Sequence, residues 1–403
     1  MIDEIRVAHI TATDLSLHYL LLNQLRFLQK KGYIVTGISS PGAETKYLNQ
    51  TSIRFLPIQI TRHPFTPIHD LRALWQLYQT FRRERFTIVH THTPKPGLLG
   101  QLAAKVAGVP VIVNTLHGFY FHERMTPLLR RFYIAIEKIA AACSDVILSQ
   151  NSEDVETAIQ EGICQREKIK FLGNGIDLDR FDPGRMEREK VNRTRADLGI
   201  AKNARVVGFV GRLVREKGLL ELFAAMRLVS ERVPNVILLV VGPVDSEKRD
   251  ALSSETAREY GIEANCRFTG LRQDMPELYS LMDVFVLPSH REGFPRAPME
   301  ASAMGVPSIV TDIRGCRQVV EQGQNGLLVP LGDVNALADA ITTLLNDSEI
   351  ARKMSQAARR IAQERFDERF VFERVQEEYA HLLRNKHIPI PLPQTSVNRT
   401  NSL

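Results

Sequence analysis

The stretch that decides the fold reads Val206-Val207-Gly208-Phe209-Val210-Gly211. It is short, apolar and rich in β-branched residues, which is typical of a buried strand. The chain then runs through Arg212-Leu213-Val214-Arg215-Glu216-Lys217-Gly218 into a helix that is predicted to end near Arg232. Arg212 and Lys217 therefore follow the carboxyl end of a strand, where open α/β sheets bind their ligands. Taken singly, each cation is better explained as a solvated surface charge.

The same alternation of strands and helices extends over the whole chain in two similar halves. In the first half we predict strands near residues 5–10, 33–39, 53–57, 87–91, 110–115, 145–149 and 168–172, and helices near 16–31, 69–84, 97–107, 126–142 and 151–161. In the second half we predict strands near 205–211, 236–241, 265–269, 283–287, 306–311 and 327–329, followed by helices near 334–346, 350–363 and 367–384. With 403 residues and 44% hydrophobic content, the chain is long enough to form two α/β cores.

A second stretch, from Arg291 to Pro307, reads Arg-Glu-Gly-Phe-Pro-Arg-Ala-Pro-Met-Glu-Ala-Ser-Ala-Met-Gly-Val-Pro. Glu292 lies in a loop rich in Gly and Pro, and Glu300 lies eight residues later in a predicted short helix. A helix that begins near Pro295 directs its first free N–H groups toward this loop, which makes an anion site. Carboxylates beside an anion site suit the hydroxyl groups of a ligand that also carries phosphate. The pattern therefore favours a nucleotide-sugar.

Together, Gly211-Arg212…Lys217-Gly218 and the Glu-x7-Glu element Glu292…Glu300 resemble the donor-site signature of the retaining glycosyltransferases of family 4, which have the GT-B fold. The resemblance covers roughly residues 4–385. One position departs from the family pattern. Pro295 replaces the second glycine of the common Glu-Gly-Phe-Gly loop and removes an N–H group, so the loop relies on the amides of Gly293, Phe294 and Arg296. This variant resembles the members that build bacterial capsular polysaccharide, exopolysaccharide or other lipid-linked glycans.

The resemblance implies an α/β fold with two Rossmann-like, doubly wound parallel-sheet domains that face each other across a cleft. Residues 1–175 would bind the acceptor, residues 176–365 would bind the nucleotide-sugar, and residues 366–385 would form a helix that packs back on the N-terminal domain. We place the linker at Gly173-Asn174-Gly175-Ile176-Asp177 and in the charged stretch from Asp182 to Asn192. We expect residues 386–403 to be disordered.

The residues implied to bind the donor are Gly211, Arg212, Lys217, Glu292, Gly293, Phe294 and Glu300. Arg212 and Lys217 would stabilise the diphosphate, Glu292 would hold the transferred sugar, and Glu300 would hold the ribose. UDP-hexose and UDP-N-acetylhexosamine are the implied donors, and GDP-sugars stay open. We expect neither a metal nor another cofactor. The Asp-x-Asp sequence at residues 177–179 is interpreted as a turn, although some glycosyltransferases hold a metal with such a pair.

Polar residues also follow two strands of the first half. His117 matches the family's active-site histidine, which contacts the donor sugar near the reacting carbon, so the implied catalytic residues are His117, Arg212, Lys217 and Glu292. His92 and Lys95 are candidate contacts for the acceptor. His90 is equally well explained as a satisfied core histidine and as a ligand.

Thr13 and Ser16 follow the first strand. Their hydroxyl groups either cap the next helix or leave its N-terminus open to an acceptor phosphate. Neither half carries Gly-x-Gly-x-x-Gly after its first strand, which counts against a dinucleotide-dependent dehydrogenase. A sugar-nucleotide epimerase of related architecture is the alternative enzyme.

Charge is concentrated in the first half of the chain. Residues 1–140 contain 17 Lys and Arg against 8 Asp and Glu, a net charge of +9, whereas the whole chain carries +6 and the remainder therefore −3. No nucleic-acid-binding pattern is present, so the expected anionic partner is a membrane surface or a lipid diphosphate. The segment 125–142 has apolar residues at helical spacing, with Arg124 beside it, and we leave open whether it lies on a membrane or covers its own sheet.

The remaining features favour a cytoplasmic enzyme, bound peripherally at the inner face of the plasma membrane. The four cysteines are far apart in sequence, which argues against a disulfide framework or a zinc site. The N-terminus does not resemble a signal peptide. No run of about 18 uncharged apolar residues is present.

Overall fold

The computed structural model describes residues 4–61, 63, 65–122, 125–245 and 250–393. The chain forms two compact units, which we call the first and the second domain. The first domain comprises Met1–Gly173 and Val371–Leu403, and the second comprises Asn174–Phe370.

The first domain alternates strands and helices. Its elements are β1 (Arg6–Thr13), α1 (Asp14–Ser16), a π-helical turn (Leu17–Leu21), α2 (Leu22–Lys30), β2 (Ile34–Ser40), α3 (Thr45–Leu48), β3 (Arg54–Pro57), α4 (Pro67–Glu84), β4 (Ile88–His92), α5 (Pro94–Ala107), β5 (Val111–Leu116), α6 (Pro127–Cys143), β6 (Val146–Ser149), α7 (Ser152–Gln160) and β7 (Ile169–Phe171). In the described residues the strands form one parallel sheet in the order β3-β2-β1-β4-β5-β6-β7. The order reverses between β1 and β4, which pair with His9 opposite His90.

The second domain repeats this architecture. Its elements are α8 (Arg188–Asp197), β8 (Arg205–Val210), α9 (Leu219–Arg232), β9 (Val236–Val241), α10 (Ser254–Glu259), β10 (Cys266–Phe268), α11 (Met275–Tyr279), β11 (Val284–Leu287), α12 (Arg296–Ala303), β12 (Ser308–Thr311), β13 (Gly326–Val329), α13 (Val334–Asn346) and α14 (Ser348–Arg365). In the described residues its parallel sheet has the order β10-β9-β8-β11-β12-β13 and reverses between β8 and β11. Two parallel α/β sheets of this kind confirm the predicted fold class.

The charged stretch from Asp182 to Asn192 lies inside the second domain and does not form the linker that its composition suggests. Arg359 on α14 donates to Asp182 Oδ1 at 2.9 Å, and Arg188 begins α8. The division between the domains instead follows Gly173, within the turn sequence.

Each face of the first sheet has its own core, because the strands are apolar on both sides. Ile10, Val89 and Ile112 pack toward α4 and α5. On the opposite face, Val7 and Val113 pack toward α2 and toward α15 (Glu368–Asn385), which follows α14. The last helix therefore covers one face of the first sheet.

Residues 386–393 differ from the expected disorder. The Ile388 N–H donates to the Leu383 carbonyl at 2.9 Å, and Ile388 and Ile390 pack against the core beneath α15. The predicted disorder of residues 394–403 lies outside the described residues. Among the helices of the described part, none has the length and apolar character needed to cross a membrane.

Candidate active site

The predicted donor residues lie at the carboxyl ends of β8 and β11. These strands are neighbours in the second sheet, at the point where the strand order reverses. The loop 211–218 follows β8, and the loop 288–295 follows β11. Loops diverge at such a point and leave a crevice that suits a ligand.

Lys217 and Glu292 meet at this point. Lys217 Nζ lies 2.6 Å from Glu292 Oε1, and the Ser289 hydroxyl donates to the same oxygen at 2.7 Å. The Thr311 hydroxyl donates to the Ser289 carbonyl at 2.7 Å and so holds the loop after β11. The Lys217 and Glu292 side chains are 19% and 10% exposed, so the ion pair is partly desolvated.

Two glycines bring these loops close together. Gly218 has φ 73°, and a Cβ atom there would lie 2.0 Å from the Pro288 carbonyl oxygen, so no other residue fits beside Lys217. A Cβ atom on Gly315 would lie 2.4 Å from the Glu292 carbonyl oxygen. The side chains of the pair are thus placed by close backbone contacts.

Helix α12 begins directly after the loop that carries Glu292. Its N-cap is Pro295, and among the described residues no side chain caps it. The N–H groups of the first turn of a helix have no partner within the helix and favour an anion. Asn174 Nδ2 donates to the Phe294 carbonyl at 3.0 Å, and the Phe294 ring packs edge-on against Phe366 with 6.2 Å between centroids. These contacts fix the loop that leads into the helix.

Glu300 lies on α12 and accepts a hydrogen bond from the Tyr279 hydroxyl at 2.9 Å. Burial raises the pKa of Glu300, and the nearby Arg296 opposes this rise. Burial also raises the pKa of Tyr279 well above its usual value, so the phenol stays neutral and donates. Glu300 is therefore a carboxyl group with a fixed orientation.

The remaining donor residues lie in the same two loops. Arg212 Nη1 lies 2.6 Å from Asp245 Oδ2, and the Gly211 N–H donates to the Val241 carbonyl at 2.9 Å. Gly293 and Phe294 lie between Glu292 and Pro295. The second domain thus gathers cations, carboxylates and a helix N-terminus at one sheet edge, a combination that can bind phosphate and hydroxyl groups together.

The Asp-x-Asp sequence forms a turn. Asp177 Oδ1 accepts from the N–H groups of Asp179 and Arg180, both at 3.0 Å.

His117 lies after β5 and is partly buried. Burial lowers its pKa to about 4, and a hydrogen bond with Gln150 opposes this effect, so the ring is neutral at pH 7. Its Nε2 lies 3.3 Å from His92 Nδ1. His92 is fully buried, and its Nε2 lies 3.0 Å from His9 Nδ1. Both ring nitrogens of His92 thus face other histidines, and the expectation that His92 binds the acceptor stays a prediction.

The Lys95 side chain also has polar partners within the first domain. Its Nζ lies 2.7 Å from Asp70 Oδ1 and donates to Thr61 Oγ1 and Thr66 Oγ1 at 2.7 and 2.8 Å. Lys95 therefore holds the segment before α4, and the expectation that it contacts the acceptor stays a prediction.

Thr13 and Ser16 adopt the capping arrangement. The Ser16 N–H donates to Thr13 Oγ1 at 3.2 Å, and the two hydroxyl oxygens lie 3.0 Å apart.

His9 and Tyr379 lie beside His92 and His90, although the sequence did not predict them. Ring nitrogens of His9, His90 and His92 lie within 4.8 Å of one another, a spacing that is also compatible with a metal ion. His90 is a satisfied core residue, since its Nδ1 lies 2.6 Å from the Tyr379 hydroxyl and its Nε2 lies 2.7 Å from Thr115 Oγ1. The alternation along β1 and β4 signals the histidines, whereas no local pattern points to Tyr379, 289 residues after His90.

Two family descriptions match successive parts of the chain. "Glycosyltransferase Family 4" matches residues 19–180, and "Glycosyl transferases group 1" matches residues 190–361.

Similar proteins span nearly the same length. The Escherichia coli UDP-Gal:alpha-D-GlcNAc-diphosphoundecaprenol alpha-1,3-galactosyltransferase is 31% identical over 352 residues, which cover 85% of this chain and 89% of that protein. The Staphylococcus aureus capsular polysaccharide biosynthesis glycosyltransferase CapM is 28% identical over 387 residues, 94% of this chain and 98% of that protein. The crystal structure of Anabaena Alr3699/HepE in complex with UDP-glucose has a similar fold, with a TM-score of 0.79 and 22% identity over 94% of this chain and 100% of that chain.

Proposed function

Because this chain belongs to glycosyltransferase family 4 and has the GT-B fold, we propose that it transfers a sugar from a nucleotide-sugar to a lipid-linked or polysaccharide acceptor with retention of anomeric configuration. UDP-hexose and UDP-N-acetylhexosamine are the proposed donors. The observation that carries the proposal is the Lys217–Glu292 pair where the second sheet reverses its strand order. The E. coli and S. aureus relatives, named for a diphosphoundecaprenol-linked acceptor and for capsular polysaccharide, support this acceptor class.

The proposed roles follow the charges that develop in the reaction. Cleavage of the bond between sugar C1 and the diphosphate places negative charge on the leaving group and positive charge on the sugar ring. Lys217, Arg212 and the start of α12 would stabilise the diphosphate, and each such contact is worth about 3 kcal/mol in a transition state. Glu292 would hold the hydroxyls of the sugar, and Glu300 the ribose. His117 is the proposed catalytic residue of the first domain.

The proposed route is front-side displacement without a covalent intermediate. The acceptor oxygen bonds to C1 on the face from which the diphosphate leaves, the bond from C1 to the phosphate oxygen breaks, and that oxygen takes the acceptor's proton. The cations of the site neutralise the leaving group, so the proposal requires no metal ion.

We further propose that the first domain binds an anionic membrane surface. Helices α4 and α6 lie on either side of α5 and begin at the carboxyl edge of the sheet. Near these starts, large apolar side chains are exposed: Phe65, Ile68, Leu71 and Trp75 at α4, and Leu128 and Phe132 on α6. Arg72 and Arg131 are exposed beside them. Apolar side chains flanked by arginine suit the interface of an anionic bilayer.

Vesicle co-sedimentation tests the membrane proposal. Ile68→Glu together with Leu128→Glu should reduce binding to phosphatidylglycerol vesicles by at least tenfold, because two apolar contacts are replaced by charges of the same sign as the lipid. The matched control is Val106→Glu, because Val106 is 74% exposed but lies at the opposite end of α5. Equal loss of binding in the control, or unchanged binding in the double variant, would refute this surface.

A transfer assay tests the reaction. The purified protein is incubated with UDP- and GDP-sugars and with polyprenyl-diphosphate-linked saccharides in the presence of EDTA, and the products are identified by mass spectrometry. The proposal predicts that one acceptor gains the mass of one sugar. Conversion of the donor without an acceptor would favour an epimerase. Dependence on added metal would contradict the metal-free route.

A further inference from the structure

The two loops that carry Lys217 and Glu292 are also joined by a second ion pair. Arg291 Nε donates to Glu216 Oε1 at 2.9 Å. Glu216 precedes Lys217 in the loop after β8, and Arg291 precedes Glu292 in the loop after β11. We call Glu216–Arg291 the outer pair and Lys217–Glu292 the inner pair.

The two pairs have opposite polarity. Along the loop after β8, the acid Glu216 precedes the base Lys217. Along the loop after β11, the base Arg291 precedes the acid Glu292. Each pair joins residues that are 75 positions apart, so the two loops face each other in a single register.

A shift of either loop by one residue would bring like charges together. A shift in one direction places Glu216 opposite Glu292, and a shift in the other direction places Lys217 opposite Arg291. Like charges in contact repel each other, whereas the observed register gives two attractions. The order of the charges therefore favours the observed register of the loops over both neighbouring registers.

Contacts of His290 support the same register. The His290 N–H donates to the Glu216 carbonyl at 2.9 Å, and His290 Nε2 lies 2.8 Å from Glu221 Oε1 in the first turn of α9. Both contacts lie before Arg291 in the loop after β11, so they anchor the first part of that loop. The outer pair anchors the loop at the residue next to Glu292.

The outer pair is more exposed to solvent than the inner pair. The side chains of Arg291 and Glu216 are 37% and 31% exposed, compared with 19% and 10% for the inner pair. An ion pair with this exposure contributes less to the free energy of unfolding than a buried pair does. Removal of the outer pair should therefore leave the domain folded and act on the position of the loops.

We propose that the outer pair positions Lys217 and Glu292 relative to each other when the nucleotide-sugar is bound. This inference rests on the proposed function, in which Lys217 contacts the diphosphate and Glu292 contacts the sugar. Since both inner residues then interact with the donor, their mutual attraction no longer sets the spacing alone. Glu216 and Arg291 have no proposed contact with the donor, so their ion pair persists in the complex and keeps the register.

Kinetics of the two single variants test the outer pair in the reaction. With the nucleotide-sugar that the wild type uses, Glu216→Gln and Arg291→Met should each lower kcat/KM about tenfold, mainly through kcat, because a displaced Glu292 misaligns the sugar. The double variant should be no less active than either single variant, since both remove the same contact. Arg291→Lys keeps the positive charge and should retain most of the activity.

A measurement without donor uses the coupling between Lys217 and Glu292 in unfolding of the second domain. The free energies of unfolding of the wild type, Lys217→Met, Glu292→Gln and the double variant give this coupling. The same cycle in the Arg291→Met background should give less than half of the coupling, because the loops no longer keep one register. A merely stabilising role of the outer pair would shift all four free energies equally and leave the coupling unchanged.

The matched control is Glu321→Gln. Glu321 pairs with Arg365 in the same domain, and their side chains are 36% and 43% exposed. Because Glu321 precedes β13 (Gly326–Val329), it lies at the sheet edge opposite to the donor loops. This variant should leave both kcat/KM and the coupling between Lys217 and Glu292 unchanged.

An unchanged coupling in the Arg291→Met background would overturn the proposal, as would an equal fall in the Glu321→Gln background. Glu216→Gln and Arg291→Met remove charges of opposite sign. Opposite effects of these variants on kcat/KM would mean that each charge acts on the donor directly, and this result would also overturn the proposal. If the coupling falls as expected while the wild type transfers no sugar, the proposed function alone is refuted.

Discussion

Replacement of Lys217 by methionine removes one charge from the donor site and keeps an unbranched side chain that is one heavy atom shorter. At an effective dielectric constant of about 20, unit charges 2.6 Å apart attract each other by roughly 6 kcal/mol. Much of this attraction is offset by the cost of desolvating the pair. The Glu292 side chain is 10% exposed and keeps the hydrogen bond from the Ser289 hydroxyl. We therefore expect Lys217→Met to lower the free energy of unfolding by about 3 kcal/mol, the lower end of the range for a broken buried ion pair. This corresponds to a fall of roughly 6–12 °C in the melting temperature of the second domain.

The effect on transfer should be separable from the effect on stability. Loss of a cation from the diphosphate should lower kcat about 10²–10³-fold. The double variant Lys217→Met/Glu292→Gln removes both charges, so it should recover most of the stability and none of the activity. Calorimetry and a sugar-transfer assay on the same preparations measure the two quantities.

A surface pair in the same domain provides the control. Arg232 Nη1 lies 2.6 Å from Asp339 Oδ1, but these side chains are 44% and 66% exposed. Arg232→Met should therefore change the free energy of unfolding by less than about 1 kcal/mol and leave transfer intact. The proposed role of Lys217 is wrong if Lys217→Met retains activity within threefold of wild type, or if the double variant regains that activity.

Three further outcomes are expected. Burial raises the pKa of Glu137 from 4.5 to about 7, so the folded protein binds this proton more tightly than the unfolded chain and loses about 3 kcal/mol of stability as pH rises from 4.5 to 7. Glu137→Gln should abolish this loss, which denaturant unfolding at pH 4.5 and pH 8 measures. If the free energy of unfolding of the variant falls between these pH values as much as that of the wild type, the assignment to Glu137 is wrong. Tyr279→Phe removes the hydrogen bond that the Tyr279 hydroxyl donates to Glu300, which is worth about 1.5 kcal/mol. The KM for the nucleotide-sugar should therefore rise about tenfold while kcat stays the same. An unchanged KM would mean that Glu300 does not bind the donor. Gly218→Ala places a methyl group 2.0 Å from the Pro288 carbonyl and should destabilise the second domain by at least about 2 kcal/mol, measured by thermal unfolding, whereas a neutral effect would mean that the loop has room.

Regular elements and the donor loops could be predicted from sequence because their signals are local. The strand predicted at 236–241 and the helix predicted at 334–346 have the same bounds in the structure. Lys217 and Glu292 are 75 residues apart, yet each follows a buried strand. Because the carboxyl ends of parallel strands lie at one edge of a sheet, the two residues are predicted to lie at the same edge. Their direct contact across 2.6 Å needed the structure.

The sequence could not show contacts in which a side chain's partner belongs to a distant element. His92 and Lys95 follow a strand, as ligands often do, and in the structure they contact His9, His117 and Asp70. Tyr379 comes from the last helix, and sequence spacing does not indicate that its hydroxyl meets His90. Tertiary packing, not local pattern, decided these cases.

The sequence left open whether the apolar residues of segment 125–142 face a membrane or their own domain. In the structure the large apolar side chains of Leu128, Leu129, Phe132 and Ile139 are exposed. Leu128 is 82% exposed and Phe132 is 53% exposed, whereas Ile134 is buried in a core cluster with Leu116 and Val155. Arg124 lies outside the described residues. A helix can present apolar side chains to both environments, so periodicity alone does not tell which face the domain covers.

The configuration of the newly formed glycosidic bond would be the most direct test. A lipid-linked saccharide that has gained one sugar is purified, and the coupling of its new anomeric proton is measured by NMR against that of the donor. Front-side displacement at the Lys217–Glu292 site predicts a product with the donor's configuration. The Glu292→Gln variant should not form this product at the wild-type rate. A product of opposite configuration, or one that Glu292→Gln still forms at the wild-type rate, would contradict the proposed use of this site.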